Sequence, residues 1–152
     1  MGIVMSTKVG RVLVKAKMLS DAVAWYESID AKMRKAILEY IQNDQLTKKG
    51  IDEDGDVLGH YSLYTDILTN GRKGFGEHYT LKDTGDFYKS MFVVVLRDAL
   101  VIEANPKKGD DNLFYKFGEG IIGLTDENLE KLIGRLKTKY IRHVRKRLQL
   151  IR

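Results

Sequence analysis

Sixteen consecutive residues, Leu81 to Leu96, do most to limit the folds open to this chain. Asp83-Thr84-Gly85 supplies a capping oxygen and a glycine free to take positive φ. Thr84 or Asp83 can cap a short helix beginning near Asp86, with Phe87 aimed at a core. The run Met91-Phe92-Val93-Val94-Val95-Leu96 is β-branched and aromatic, which suits a fully buried strand. Arg97-Asp98 then turns that strand back onto Ala99 to Glu103 as a hairpin, and Asn105-Pro106 ends the second strand. A two-stranded element cannot bury both faces by itself, so helices must cover one of them.

The flanks supply those helices. Ser20 or Asp21 can cap a long helix to about Asn43, with Ala22, Tyr26, Ile29, Met33, Ile37 and Tyr40 lining one face. Thr125 caps a second, basic helix over 126–150, about 37 Å long at 1.5 Å per residue. Leu129, Leu132, Ile133, Leu136, Tyr140, Val144 and Leu148 form its apolar stripe. Val12, Val14, Ala16 and Met18 alternate with Arg11, Leu13, Lys15 and Lys17 in a basic N-terminal arm, 1–18, that reads as a weak strand or an extended segment. Between the two helices, 50–76 is a Gly-rich loop region; seven of the fourteen glycines fall between Gly50 and Gly85. Asp54-Gly55 is a tight-turn pair, and Tyr61, Tyr64, Ile67 and Leu68 give a short apolar period. Lys107 to Asn112 reads as a polar loop, and Leu113 to Phe117 as a third strand. The expected fold class is α+β: one domain, 1–152, with a small antiparallel sheet packed by a long N-terminal helix and a long basic C-terminal helix.

Several classes of chemistry lack their residues. There is no cysteine, which removes disulfides, thiol catalysis and cysteine-ligated zinc and suits a reducing cytosol. The longest apolar run is six residues, far short of the twenty or so that a membrane span needs. Met1-Gly2-Ile3-Val4-Met5-Ser6 matches the myristoylation pattern, but so short a pattern recurs by chance, and a soluble intracellular product is expected. His60, His78 and His143 lack metal-ligand spacing; they read as surface or tyrosine-packing residues. Asp52-Glu53-Asp54-Gly55-Asp56 fails as an EF-hand, because its glycine is two positions early and Leu63 stands at the twelfth position. Gly71-Arg72-Lys73-Gly74-Phe75-Gly76 lacks the Gly-Lys-Ser/Thr ending of a phosphate cradle and reads as a flexible loop. Ser62 and Ser90 have no nucleophile-elbow context, and Ser90 is placed to bond backbone near the Thr-Gly turn. A carboxylate dyad has candidates but no geometry in sequence, so a small hydrolase ranks last. No catalytic residue, cofactor or metal ligand is expected.

Charge is the strongest signal left. Residues 1–18 hold four Lys/Arg and residues 131–152 hold nine, with no Asp/Glu in either segment. Residues 19–130 carry a net charge of −8 within a chain of +5. Basic ends and an acidic body favour head-to-tail self-association, or contact with a polyanion at one end. The candidate DNA or subunit contacts are Arg135, Lys139, Arg142, Arg145 and Lys146 on the C-terminal helix, with Arg72 and Lys73 in the loop. Part of that helix is accounted for simply as a solvated face whose long stems cover apolar surface. Few short polar side chains stand beside the cations, which disfavours sequence-specific DNA reading.

Three segments in consistent order carry a family likeness. Leu81-Lys82-Asp83-Thr84-Gly85 through Ser90 resembles the "L-x-x-T-G-x-L-x-x-S" core of bacteriophage tail-completion and neck proteins, the virion-morphogenesis and minor-tail families. Leu58-Gly59-His60-Tyr61-Ser62-Leu63-Tyr64-Thr65 resembles the "W-x-P-L-S-x-x-T" segment before it, with His60 or Tyr61 at the tryptophan position and no proline. Phe114-Tyr115-Lys116-Phe117-Gly118 resembles the aromatic-x-x-Gly segment after the hairpin. The resemblance implies a structural virion protein rather than an enzyme. Such a protein would form a ring of identical subunits between portal and tail, with other copies of itself, portal, adaptor or tail proteins and packaged DNA as partners. It would reside in the virion neck or tail, and in host cytoplasm during assembly. The other reading is a basic, non-specific nucleic-acid-binding protein.

Overall fold

The computed structural model describes residues 23–97 and 99–148. The expected N-terminal arm, 1–18, lies outside them. The fold class is α+β, with helices flanking two small antiparallel pairs.

The expected single N-terminal helix is two pieces among the described residues. Helix α1, Val23–Glu27, stops where the Ser28 hydroxyl and the Ser28 N–H both bond the Trp25 carbonyl, at 2.6 and 3.2 Å. That carbonyl is the one Ile29 N–H needs to continue the helix; Ile29 bonds Tyr26 instead. Asp30, extended at φ −86° and ψ 179°, starts afresh and accepts from Met33 N–H at 2.8 Å. Helix α2, Ala31–Glu39, then runs without interruption into a π-helix, Tyr40–Lys49. Thr47 Oγ1 donates to Gln42 O, five residues back, in keeping with the wider turn. Gly50 ends the rod at φ +62°, and a β-carbon there would collide with the His78 ring.

The hairpin forms as expected, but its first strand is not fully buried: Val93 is buried, while Phe92 and Leu96 are exposed. Strand β1, Phe92–Val95, pairs antiparallel with β2, Leu100–Glu103, in the register Val93 to Ile102, and Leu96 N–H closes the turn on Ala99 O at 2.8 Å. Ahead of β1, Gly85 takes φ +83° and Thr84 Oγ1 accepts from Asp86 N–H at the start of a short helix, Asp86–Ser90. Ser90 bonds the Phe87 carbonyl and receives Asn105 N–H, tying that helix to the strand exit. Lys107–Lys108 and Asp111–Asn112 form a second two-stranded pair. The expected third strand is instead a helix, Leu113–Phe117, because the Asn112 side chain caps it by accepting from Phe114 and Tyr115 N–H.

The long C-terminal helix, Asp126–Arg147, is capped by Thr125 as the sequence predicts; its expected last residues, 149–150, lie outside the described ones. It lies antiparallel to the α2–π rod. Lys49 meets Glu127, Gln45 meets Asn128, Arg135 covers the Tyr40 ring, Lys139 meets Asp30, and His143 faces Glu27. Trp25 stacks flat on Tyr140 at 4.2 Å. His143 is therefore half-buried in this seam rather than on open surface. The core between rod, hairpin and Asp86–Ser90 helix holds Ile37, Ile41, Leu46 and Ile121 fully buried, with Phe87, Met91, Val93 and Leu132 around them. Each such side chain contributes roughly 1.5–3 kcal/mol by leaving water.

Candidate interaction surfaces

One buried polar cluster sets where the two ends of the molecule stand. Gln45 is fully buried in the π-helix. Its amide donates to Gly123 O at 2.8 Å, and its Oε1 accepts from Thr125 N–H and Asn128 Nδ2, both at 3.0 Å. Every polar atom of the side chain that faces the N-terminus of the long helix is used, so the cluster orients that helix without leaving an orphan group. Glu127 beside it bonds Lys131 and Lys49, which hold its carboxyl down at about 2.

At this end stands the acidic turn, 52–56. Gly55 N–H bonds Asp52 O at 3.2 Å, and Asp52 Oδ1 accepts from Asp54 and Asp56 N–H at 3.0 and 2.9 Å. Glu53 N–H bonds Gly120 O at 3.0 Å, and the Glu53 side chain lies over Gly120 and Gly123 so closely that no β-carbon fits on Gly123. Asp52 and Glu53 thus hold the turn, while Asp54 and Asp56 point their carboxylates to solvent with no ion pair among the described residues.

Farther along the long helix lies a basic groove of about 680 Å³, formed with α2. Met33 and Ala36 lie at its bottom; Lys32, Lys35 and Glu39 line the α2 wall, with Lys35 4.0 Å from Glu39, and Arg135, Thr138, Lys139 and Arg142 line the other. Three of the expected contact residues therefore come together: Arg135, Lys139 and Arg142. Lys32 and Lys35 join them; sequence reasoning passed over these two because they sit on the polar side of a helix read only for its core face. Lys139 is hydrogen-bonded to Asp30, which keeps that carboxyl below the usual carboxylate range. Lys32 and Arg142 form no ion pair among the described residues. Arg145 and Lys146 continue the basic face through the last turn of the helix, both exposed.

Arg72 and Lys73 stand elsewhere. They line a small cleft with Tyr61, Thr80 and Asp83. Lys73 is half-buried, pairs with Asp83 at 3.1 Å and lies near the Tyr61 ring; Lys108 takes the other Asp83 oxygen, also at 3.1 Å. Both bonds draw the Asp83 carboxyl below its ordinary range.

The loop expected at 50–76 contains an ordered excursion. Tyr61 exchanges backbone bonds with Glu77 and Gly76, Tyr79 N–H bonds Gly59 O, and His60 bridges His78, so the base is closed. Tyr61 packs edge-on to Tyr79 at 4.8 Å. Helix α3, Leu63–Leu68, rides on this base, capped by Ser62. Its apolar side chains stay in solvent: Tyr64 is 70% exposed and Ile67 65%, with Leu63, Leu68 and Phe75 similar. The excursion thus carries five large apolar side chains that the described residues leave uncovered.

Among the described residues no group of three His, Cys, Asp or Glu could hold a metal, and no helix is long and apolar enough to cross a membrane. His78 spends its Nε2 on Thr47 O at 2.9 Å. Comparison of the chain with protein-family models, with curated proteins and with solved structures finds no match.

Proposed function

We propose that this chain is a structural subunit of a bacteriophage virion: a tail-completion or head–tail connector (neck) component that assembles as a homo-oligomeric ring between portal and tail. The observation that carries the reading is the pair of unlike charged faces on one subunit, an acidic turn beside the start of the long helix and a basic groove farther along it. A closed ring of identical subunits needs two different, complementary faces on each copy. The resemblance over Leu58 to Gly118 supports the virion setting, and the exposed apolar excursion supports contact with neighbours above or below the ring. The work is binding: closing the neck, keeping packaged DNA in place and offering the tail a docking surface. Negative-stain microscopy and mass photometry of the purified full chain test it, with closed particles of one subunit number as the expected result. A chain that stays monomeric at high concentration beside its virion neighbours, and turns over a small molecule, overturns it.

A second reading is favoured by Arg142, Arg145 and Lys146, which carry no ion pair among the described residues. Such a row suits non-specific phosphate contact, and binding to random-sequence DNA by the monomer, falling steeply with salt, is its signature.

A further inference from the structure

The basic groove has an apolar floor and a charged rim, and that combination selects its occupant. Met33 and Ala36 at the bottom are 3% and 7% exposed, a narrow apolar strip that offers nothing to a phosphate backbone. On the rim Glu39 answers Lys35 and Asp30 answers Lys139, which leaves Lys32 and Arg142 as the cations without an ion pair among the described residues. A peptide segment that places carboxylates on the rim and an aliphatic side chain on the floor uses both parts. The chain's own residues 1–18 have the wrong sign for it, with four Lys/Arg and no Asp/Glu.

The acidic turn has the matching chemistry. Asp54 and Asp56 are exposed, their side chains free of the turn's own hydrogen bonds, and Val57 beside them is 54% exposed. The same subunit cannot close the contact on itself. Glu53 N–H is held on Gly120 O just ahead of the long helix, and the groove residues begin at Arg135, roughly 15 Å along that helix at 1.5 Å per residue.

We propose that the 52–57 turn of one copy seats in the groove between α2 and the long helix of the next, Asp54 and Asp56 meeting Lys32 and Arg142 and Val57 reaching the Met33–Ala36 floor. The contact joins two different surfaces, so it is heterologous and propagates head to tail. It rests on the ring reading above and names the interface that closes the ring.

Charge reversal in the full chain tests it. Asp54→Lys with Asp56→Lys, and separately Lys32→Glu with Arg142→Glu, each weaken self-association at least about tenfold at low salt by mass photometry. Mixing the two variants restores association, since the intact turn of one meets the intact groove of the other and the Lys turn meets the Glu groove with both signs reversed, while circular dichroism and melting stay as in wild type. Rings that assemble normally from either variant overturn this contact and leave the ring reading standing. A wild-type chain that never self-associates overturns both. If the groove variant alone loses assembly, the turn is not the occupant and the proposal fails. If instead the groove variant loses salt-sensitive binding to random DNA and the turn variant assembles normally, the groove is a phosphate site and the proposal likewise fails.

Discussion

Helices α2 and α3 have the same local grammar and opposite fates. Each opens on a short polar residue whose oxygen accepts the N–H three residues on: Asp30 from Met33, Ser62 from Thr65. Each repeats apolar residues at helical spacing. In α2 that stripe is core, with Met33, Ala36 and Ile37 buried. In α3 no residue is buried. The difference lies in what surrounds them. The α2 stripe faces β1 and runs on into the π-helix, against which the C-terminal helix packs, whereas α3 sits on a chain excursion closed at its base by the bonds of Tyr61 with Gly76 and Glu77 and of Tyr79 with Gly59. An amphipathic pattern states that a face wants burial; it does not state that this chain supplies the cover. The core face of α2 is covered by the chain's own elements, and the apolar face of α3 is left uncovered by the described residues.

Substitutions can break that contrast or sharpen it. The largest effect falls in the rod: Ile41→Ala removes a fully buried side chain and costs about 3–4 kcal/mol by chemical denaturation. Next comes Gln45→Leu, which fills the space but strands Thr125 N–H, Asn128 Nδ2 and Gly123 O. A loss of about 2–3 kcal/mol is expected, together with faster hydrogen exchange at the start of the long helix. Tyr88→Phe costs about 1 kcal/mol at neutral pH, by losing the hydroxyl's bond to Thr80 O. It also changes the alkaline limb. Burial pushes the Tyr88 hydroxyl from 10.0 up to about 12, so the folded chain holds this proton where the unfolded chain has released it. That stabilisation is whole below pH 10 and falls away as pH rises from 10 towards 12; in the Phe variant this part of the decline disappears from melting curves taken across that window. The smallest effect belongs to α3. Ile67→Ser with Leu68→Ser leaves monomer stability within about 0.5 kcal/mol, because both side chains are already in water, yet lowers binding of a hydrophobic dye and weakens assembly with neighbours. A large loss of stability there would mean that α3 is covered after all.

Much of the fold was legible because it rests on local chemistry. Thr125 as a cap, the 92–103 hairpin, the Asp52–Asp56 turn and Gly85 at positive φ each follow from a few neighbouring residues. Two misreadings share one cause. Ser28 and Asn112 are small polar residues whose side chains compete with the backbone, and each redirected a segment, breaking a helix in one case and starting one in place of a strand in the other. The π-helix carries no composition that marks it; its left-handed cap at Gly50 is local, but the close approach of the His78 ring, 28 residues away in sequence, is not.

The sites divide the same way. The sequence alone determined that positive charge gathers at the ends and negative charge in the body, because charge is a count of side chains and needs no coordinates. Only the tertiary structure decided which cations act together. It drew Lys32 and Lys35 to Arg135, Lys139 and Arg142 across an antiparallel seam, and it tied Lys73 to Asp83. The reason is physical: electrostatic interaction falls with distance and is screened within about 8–10 Å, so a charge acquires its role from the few groups that packing places beside it.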